Sequence, residues 1–160
     1  MRSIINRLVC PAVALSVLAV STFATEPSPT GLWKTIDDHS GRPRGAVQIY
    51  EQNGTFFGKV EAAFDPREAA ERCRCCRDDR KDKLIIGLMI IRGLKKNGDE
   101  YSGGDILDPE NGMVYRCKLR LIESGSKLVV RGYFVIPLLG RSQIWIRQPD
   151  RSLGASASRR

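Results

Sequence analysis

The chain has 160 residues, with 26 Lys and Arg against 18 Asp and Glu, so its formal net charge is +8. That length suits one domain, and 42% hydrophobic with 28% charged residues excludes a wholly disordered or collagen-like chain. The single histidine, His39, excludes a histidine-rich metal site and restricts acid–base catalysis near neutral pH.

The first 24 residues have the tripartite pattern of a secretory signal peptide. Arg2 and Arg7 precede an almost wholly apolar run at residues 8–20, and small residues lead to a cleavage point after Ala24. The run is shorter than the roughly 20 residues of a membrane-spanning helix. We therefore predict an exported protein, periplasmic or secreted, that does not span the membrane after processing. Removing residues 1–24 takes away two arginines and no acids, which lowers the net charge from +8 to +6.

The basic excess of the remaining chain is concentrated at its end. Residues 151–160 are rich in Ser, Ala and Gly and carry three arginines, so we expect a flexible basic tail. In residues 25–150, the predicted folded domain, Lys and Arg are mixed with Asp and Glu. Nucleic-acid binding needs a basic face, usually with stacking aromatics, and so we predict no nucleic-acid partner. Weak attraction to anionic surfaces of the cell envelope remains open.

Apolar residues recur with a period of two through the predicted domain, and turn residues separate the runs. Asn53-Gly54 fits a type I′ hairpin turn, because both positions need a positive φ. Between Met113 and Leu121, apolar residues alternate with basic ones, as in a strand with one buried and one wet face. Strands are predicted at residues 32–36, 47–50, 55–63, 84–91, 101–107, 113–121, 127–136 and 141–147.

About eight strands joined by short turns predict an all-β fold. Closure into a single small antiparallel barrel removes the exposed sheet edges, and a two-sheet sandwich is the alternative. The interior of an eight-stranded barrel is either filled by side chains or just wide enough for one small ligand.

The segment from Phe64 to Lys83 departs from this alternation and is predicted to be a loop insertion. Asp65, Pro66 and Glu68 favour the start of a short helix within it. A connection of this length within a compact domain is usually functional or disordered.

Four cysteines remain after processing: Cys73, Cys75, Cys76 and Cys117. Structural disulfide bonding is favoured because exported proteins meet oxidants, with Cys73–Cys76 as the leading pair. Cys75 then pairs with Cys117 or stays free. A redox-active Cys-x-x-Cys motif and a four-thiolate zinc site are the alternatives. The first lacks the strand–helix alternation of thioredoxins, and the second lacks two well-separated cysteine pairs.

Catalytic constellations are missing or weak. The sequence has no nucleophile elbow, phosphate-binding glycine loop or zinc-protease helix. His39 would need a converging nucleophile, and Asp105 with Asp108 could flank a sugar as paired carboxylates. Asp108 precedes Pro109 and is more simply a turn-former. We predict no catalytic residue, no metal and no cofactor.

Several motifs occur in order along nearly the whole predicted domain. They are Gly31-Leu32-Trp33, residues 54–60 (Gly-Thr-Phe-Phe-Gly-Lys-Val), Cys73-x-x-Cys76, residues 104–109 (Gly-Asp-Ile-Leu-Asp-Pro), residues 130–133 (Val-Arg-Gly-Tyr) and residues 140–147, ending Trp145-x-Arg147. Together they resemble the exported bacterial family called domain of unknown function 2147. Cys75 is an addition to the usual cysteine pair of that family, and Arg77-Asp78 replaces a small or glycine-containing turn.

The resemblance implies a lipocalin-like barrel of unestablished activity. Gly31-x-Trp33 is similar to the lipocalin signature in which a tryptophan closes one barrel end. In that signature an arginine of the last strand lies across the tryptophan ring, and Arg141 or Arg147 would supply it here through a cation–π contact.

Two functions follow as hypotheses. The first is a non-catalytic binding module for a small apolar or amphipathic ligand. The second is a structural or interaction protein of the bacterial cell envelope that uses its outer surface, with an exposed patch around Tyr133, Phe134, Leu138 and Leu139. The interior residues predicted to line a ligand cavity are Phe57, Ile86, Leu88, Tyr115 and Leu119.

Overall fold

Eight antiparallel strands follow one another along the chain, and the last returns to pair with the first, so the sheet is a closed barrel. The computed structural model describes residues 26–38 and 40–149. The predicted all-β barrel is confirmed, and the two-sheet alternative is wrong. The predicted signal peptide, the tail at residues 151–160 and His39 lie outside the described residues.

The strands are β1 (Gly31–Ile36), β2 (Pro43–Gln52), β3 (Thr55–Ala63), β4 (Met89–Asn97), β5 (Glu100–Asp108), β6 (Met113–Ile122), β7 (Lys127–Tyr133) and β8 (Gly140–Arg147).

Alternation along each strand sends apolar side chains into the barrel. On β6, Cys117 and Leu119 are fully buried, whereas Arg116 and Arg120 are exposed on the outer face. Both tryptophans lie in the core, and both are almost completely buried. The largest fully buried side chains include Trp33, Trp145, Ile49, Ile91, Leu94, Leu107, Leu119 and Leu128.

The connection between β3 and β4 differs from the prediction. The fourth strand begins at Met89, so residues 84–88 belong to the preceding connection. Gly87 has a φ of 86°, and the backbone of Val60 bonds both the Gly87 N–H and the Leu88 carbonyl oxygen. This turn interrupts the apolar run, because a left-handed residue cannot continue an extended strand.

Two further local predictions change in the structure. In place of the predicted short helix, residues near Asp65 form a single 3-10 turn, Glu68–Ala70, and the Asp65 carboxylate accepts the Arg67 backbone N–H at 2.9 Å. The seventh strand ends at Tyr133, three residues before the predicted end. Residues 134–139 instead form a connection that contains a 3-10 turn, Pro137–Leu139.

The two ends of the barrel differ in their connections. At one end, called here the Trp33 end, short connections join β2 to β3, β4 to β5 and β6 to β7. At the other, called the loop end, lie the four remaining connections. The long segment at residues 64–88 and the apolar segment at residues 134–139 are therefore at the same end.

Two residue pairs join β1 to β8, Trp33 with Arg147 and Lys34 with Ile146, and the Gln148 N–H just after β8 donates to the Leu32 carbonyl oxygen at 2.8 Å. The indole N–H of Trp33 donates a 2.7 Å hydrogen bond to the Pro29 carbonyl oxygen inside the barrel end. The Arg147 guanidinium carbon lies 4.2 Å from the centroid of the Trp33 ring. A short seam is thus reinforced by a cation–π contact between its two strands.

The Arg147 guanidinium also donates to three backbone carbonyl oxygens. These are Gly125 at 2.6 Å, Thr30 at 2.7 Å and Ser28 at 2.7 Å. They belong to the β6–β7 connection and to the segment before β1, so one side chain joins both to β8. Gly31 has a φ of 122°, and a Cβ there would lie 2.9 Å from the guanidinium, which explains the need for glycine.

We expect Trp33→Ala to lower the free energy of unfolding by about 3–5 kcal/mol, because it removes a large, fully buried aromatic side chain. The measurement is equilibrium denaturation in urea. Ile144→Ala, at a half-exposed position on β8, is the control and should change stability by less than about 1 kcal/mol. Equal effects of the two substitutions would contradict the assigned role of Trp33.

Candidate binding surface

The interior of the barrel is filled by side chains. Tyr101, Leu119 and Trp145, on three different strands, are each at most 5% exposed. Two clefts stand out in the described residues, and both are on the surface. The one at the loop end is lined by Asp37, Ser40, Arg42, Pro43, Arg44, Asp65 and Glu68, and the one at the Trp33 end by residues that include Ser28, Thr30, Gly125 and Arg147.

The five residues predicted to line a ligand cavity do not form one wall. Leu88 and Leu119 are buried in the core, and Ile86 packs against it from the long connection. Tyr115 is half-buried at the loop end. Phe57 lies on the outer face, because alternation on β3 turns Phe56 inward, and its ring stacks on that of Tyr50 at 5.7 Å.

The most exposed apolar segment is the connection between β7 and β8, residues 134–139, called here the apolar loop. Its sequence is Phe-Val-Ile-Pro-Leu-Leu. Val135 is 79% exposed, Leu138 81% and Leu139 71%. The sequence predicts an exposed patch that includes Phe134, Leu138 and Leu139, but it also predicts that residues 134–136 continue the seventh strand, which ends at Tyr133. Contiguous exposed apolar surface of this kind usually marks an interaction site.

Arg131 of β7 holds the apolar loop in shape. Its guanidinium donates to the carbonyl oxygens of Pro137 at 2.6 Å and Leu138 at 3.2 Å, and to the Ser142 hydroxyl at 2.8 Å. The Leu139 N–H also donates to the Ile136 carbonyl oxygen at 3.1 Å. The loop therefore exposes apolar side chains while three of its carbonyl oxygens, those of Ile136, Pro137 and Leu138, accept hydrogen bonds within the protein. The sequence gives no local signal for this role of Arg131.

At its base, the apolar loop is attached to the barrel. The Phe134 ring contacts that of Tyr115, with 4.5 Å between centroids. Arg141, at the start of β8, forms a two-point ion pair with Asp38 in the β1–β2 connection. Arg141 therefore lies at the loop end, and the arginine over Trp33 is Arg147.

The long connection at residues 64–88 contains the Cys73–Cys76 disulfide, which confirms the predicted pair. Both of these cysteines are buried, whereas Cys75 is a free, exposed thiol. Cys117 is also free but lies in the core, where burial raises the pKa of its thiol well above the usual range. The two free thiols thus occupy different environments, and the predicted alternative of a Cys75–Cys117 bond does not occur.

A buried arginine attaches the long connection to the barrel wall. Arg80 is 2% exposed, donates to the Met89 carbonyl oxygen at 3.1 Å and pairs with Asp78. One carboxylate oxygen of Asp105 lies 3.9 Å from Arg80 and is buried without a hydrogen-bond partner. Burial accordingly raises the pKa of Asp105, and the charge of Arg80 opposes that shift. Asp105 therefore lies beside a buried structural arginine, Arg80, whose burial no local sequence pattern predicts.

Asp108, the second carboxylate of the possible sugar-binding pair, bonds residues of its own turn. It accepts hydrogen bonds from the Glu110 backbone N–H at 3.0 Å and the Asn111 side-chain amide at 2.9 Å.

Within residues 26–38 and 40–149, no group of three or more His, Cys, Asp or Glu side chains could hold a metal ion. No helix among the described residues is long and apolar enough to cross a bilayer.

The eight-stranded closed barrel, with a tryptophan and an arginine joining its first and last strands, is of the lipocalin-like class. A similar solved structure is protein HP1028 from the human pathogen Helicobacter pylori, described as belonging to the lipocalin family. The two share 18% sequence identity with a TM-score of 0.68, covering 79% of this chain and 87% of that one. The likeness establishes the fold.

Residues 31–147 match the family model described as "Uncharacterized protein conserved in bacteria (DUF2147)". The chain belongs to this family, as the motifs of its strands predicted. No curated protein matches the sequence significantly. The family has no established activity, and a lipocalin-like barrel is compatible with binding a small ligand.

One ion pair of the long connection has a measurable pH signature. Arg92 on β4 donates two hydrogen bonds to Asp79, at 2.8 and 2.9 Å, and lowers the pKa of Asp79 to about 2. The pKa of Asp79 in the folded protein is below the ordinary value of about 4. The ion pair therefore stabilises the folded protein above about pH 4, and this contribution is lost as the pH falls from about 4 towards 2.

We expect an NMR titration to give a pKa of about 2 for Asp79, and Arg92→Gln to return it to about 4. Arg120→Gln, on β6 of the barrel, is the control and should leave the pKa of Asp79 unchanged. A titration midpoint near 4 in the parent protein would mean that the pair does not form in solution.

Proposed function

We propose that this chain is a non-catalytic binding protein that holds an apolar or amphipathic partner on its outer surface, at the apolar loop. The exposed leucines and valine of residues 134–139, on a barrel whose interior is filled, carry this proposal. An apolar side chain that leaves water on binding contributes about 1.5–3 kcal/mol when it becomes fully buried. Several such side chains next to each other therefore provide a substantial driving force.

The order of the apolar loop supports the same function. Because Arg131 already bonds the Pro137 and Leu138 carbonyl oxygens, those groups need no new partner when water is excluded. The bonds from Arg131 also restrain the loop, which reduces the conformational entropy lost on binding. A ligand inside the barrel would instead have to displace core side chains such as Leu119 and Trp145.

We also propose that the protein acts outside the cytoplasm, in the periplasm or after secretion. The Cys73–Cys76 disulfide is compatible with that location, because disulfides persist in oxidising compartments. The segment at residues 1–24 has the pattern of an export signal. The partner is then a molecule or surface of the cell envelope.

Binding of Nile red, a neutral apolar dye, tests the proposed surface. We expect the double substitution Leu138→Ser with Leu139→Ser to weaken dye binding at least about tenfold, because two exposed leucines lose their apolar contacts. Leu84→Ser is the matched control, since Leu84 is an exposed leucine outside the apolar loop, and it should leave the affinity unchanged.

Tryptophan emission distinguishes the outer surface from the interior. Both tryptophans of the chain, Trp33 and Trp145, are buried inside the barrel, so a ligand on the apolar loop should leave their emission unchanged. Unweakened dye binding by the double variant, together with altered tryptophan emission, would place the ligand inside the barrel and overturn the proposal.

A further inference from the structure

Charge is divided unequally between the two halves of the barrel wall. The neighbouring strands β6, β7, β8 and β1, called here the basic half, contain no Asp or Glu. The other four strands carry five basic and five acidic residues, so their charges balance. The basic residues of the basic half are Lys34, Arg116, Lys118, Arg120, Lys127, Arg131, Arg141 and Arg147.

Some of these charges are engaged by other parts of the protein. Lys118 pairs with Glu100 and Lys127 with Glu123, while the three arginines of β7 and β8 have the contacts described above. Lys34, Arg116 and Arg120 form no ion pair within the part of the chain that the structure describes. Arg116 and Arg120 point outward from β6 and are exposed. The basic half therefore retains free positive charge.

Exposed apolar side chains are concentrated in the same half. Of the nine large apolar residues exposed in the described ranges, seven lie on it or on the apolar loop, which joins two of its strands. Val114 on β6 is 40% exposed and Ile144 on β8 is 49% exposed, and the other five are in the loop. Tyr133 pairs in register with Arg116 at the base of the loop, and on its other side Arg116 pairs in register with Asp105 of β5.

We infer that the partner of the apolar loop is the surface of a lipid bilayer that contains anionic lipids, an inference that rests on the proposed function. The loop side chains enter the boundary of the acyl chains, and the free cations of the basic half contact anionic headgroups. Insertion into hydrocarbon requires satisfied backbone groups, and Arg131 supplies bonds for two carbonyl oxygens of the loop.

A bilayer fits these features better than a folded protein partner. Leu138, Val135 and Leu139 are 71–81% exposed, so the loop protrudes instead of forming a groove. A folded partner would need a pocket of matching shape, whereas acyl chains adapt to a protruding apolar segment. The absence of acids from four neighbouring strands also complements a surface of uniform negative charge.

Vesicle co-sedimentation of the full chain tests the inference, with vesicles of phosphatidylcholine alone and mixed with phosphatidylglycerol. We expect tighter binding to the mixed vesicles, and weakening by added salt. Leu138→Ser with Leu139→Ser should weaken binding to the mixed vesicles at least about tenfold. Every variant retains the predicted signal segment, residues 1–24, so differences between variants report on the loop and the barrel wall.

A second pair of variants isolates the charge. Arg116→Gln with Arg120→Gln should weaken binding to the mixed vesicles at least about fivefold, since each cation near an anionic surface adds to the attraction. Lys59→Gln with Lys95→Gln removes the same charge from β3 and β4, in the other half, and should have a smaller effect. Equal loss in the two pairs would show that only net charge matters and would overturn the assignment of the basic half.

Other outcomes identify what fails. Vesicle binding that the leucine variant leaves unchanged overturns the inference. Nile red binding at the loop without vesicle binding overturns the bilayer as partner and leaves the proposed function standing. If the parent protein binds neither Nile red nor vesicles, both the proposed function and the bilayer inference are wrong. Sedimentation velocity without lipid adds one more outcome: a dimer that dissociates in the leucine variant would make a second copy of this chain the partner.

Discussion

The contact between Arg147 and Trp33 is the constraint on which the barrel depends. Two residue pairs and the bond from the Gln148 N–H to the Leu32 carbonyl oxygen join β1 to β8, so the backbone seam is short. The Arg147 guanidinium strengthens it by lying over the indole and by bonding three carbonyl oxygens in two other segments. A planar, permanently charged donor suits this task, because its five N–H groups can reach several carbonyl groups at once. Without closure, both edge strands would expose unpaired backbone groups.

Closure and a filled interior together determine where the protein can bind a partner. The core side chains of all eight strands meet inside the barrel, and both tryptophans are part of that packing. The long connection adds the buried Cys73–Cys76 disulfide and Arg80 at the loop end. The outer surface is thus the accessible part, and the apolar loop is its most apolar feature. Arg131 keeps this loop ordered by the same chemistry that Arg147 uses at the opposite end.

Much of the fold follows from local patterns. The period-two alternation of Met113–Ile122 predicts a strand with one buried face, and Asn53-Gly54 predicts a tight turn, since both depend on near neighbours in the chain. The Cys73–Cys76 pair also follows from close spacing. Patterns of this kind failed at residues 84–91, where a turn at Gly87 interrupts a continuous apolar run, and at Phe57, where two adjacent aromatic residues leave the inward one ambiguous.

The sequence by itself predicted about eight strands, favoured a closed barrel over a two-sheet sandwich, and indicated the family and an exposed apolar patch near the end of β7. Only the tertiary structure decided that Arg147 covers Trp33, that Arg80 is buried, and that Arg131 bonds the apolar loop. It also created the basic half, because β1 lies next to β8 only when the barrel closes. These features join residues that are far apart in the chain or on opposite faces of strands. Local periodicity carries no information about such contacts, which arise from the register and closure of the whole sheet.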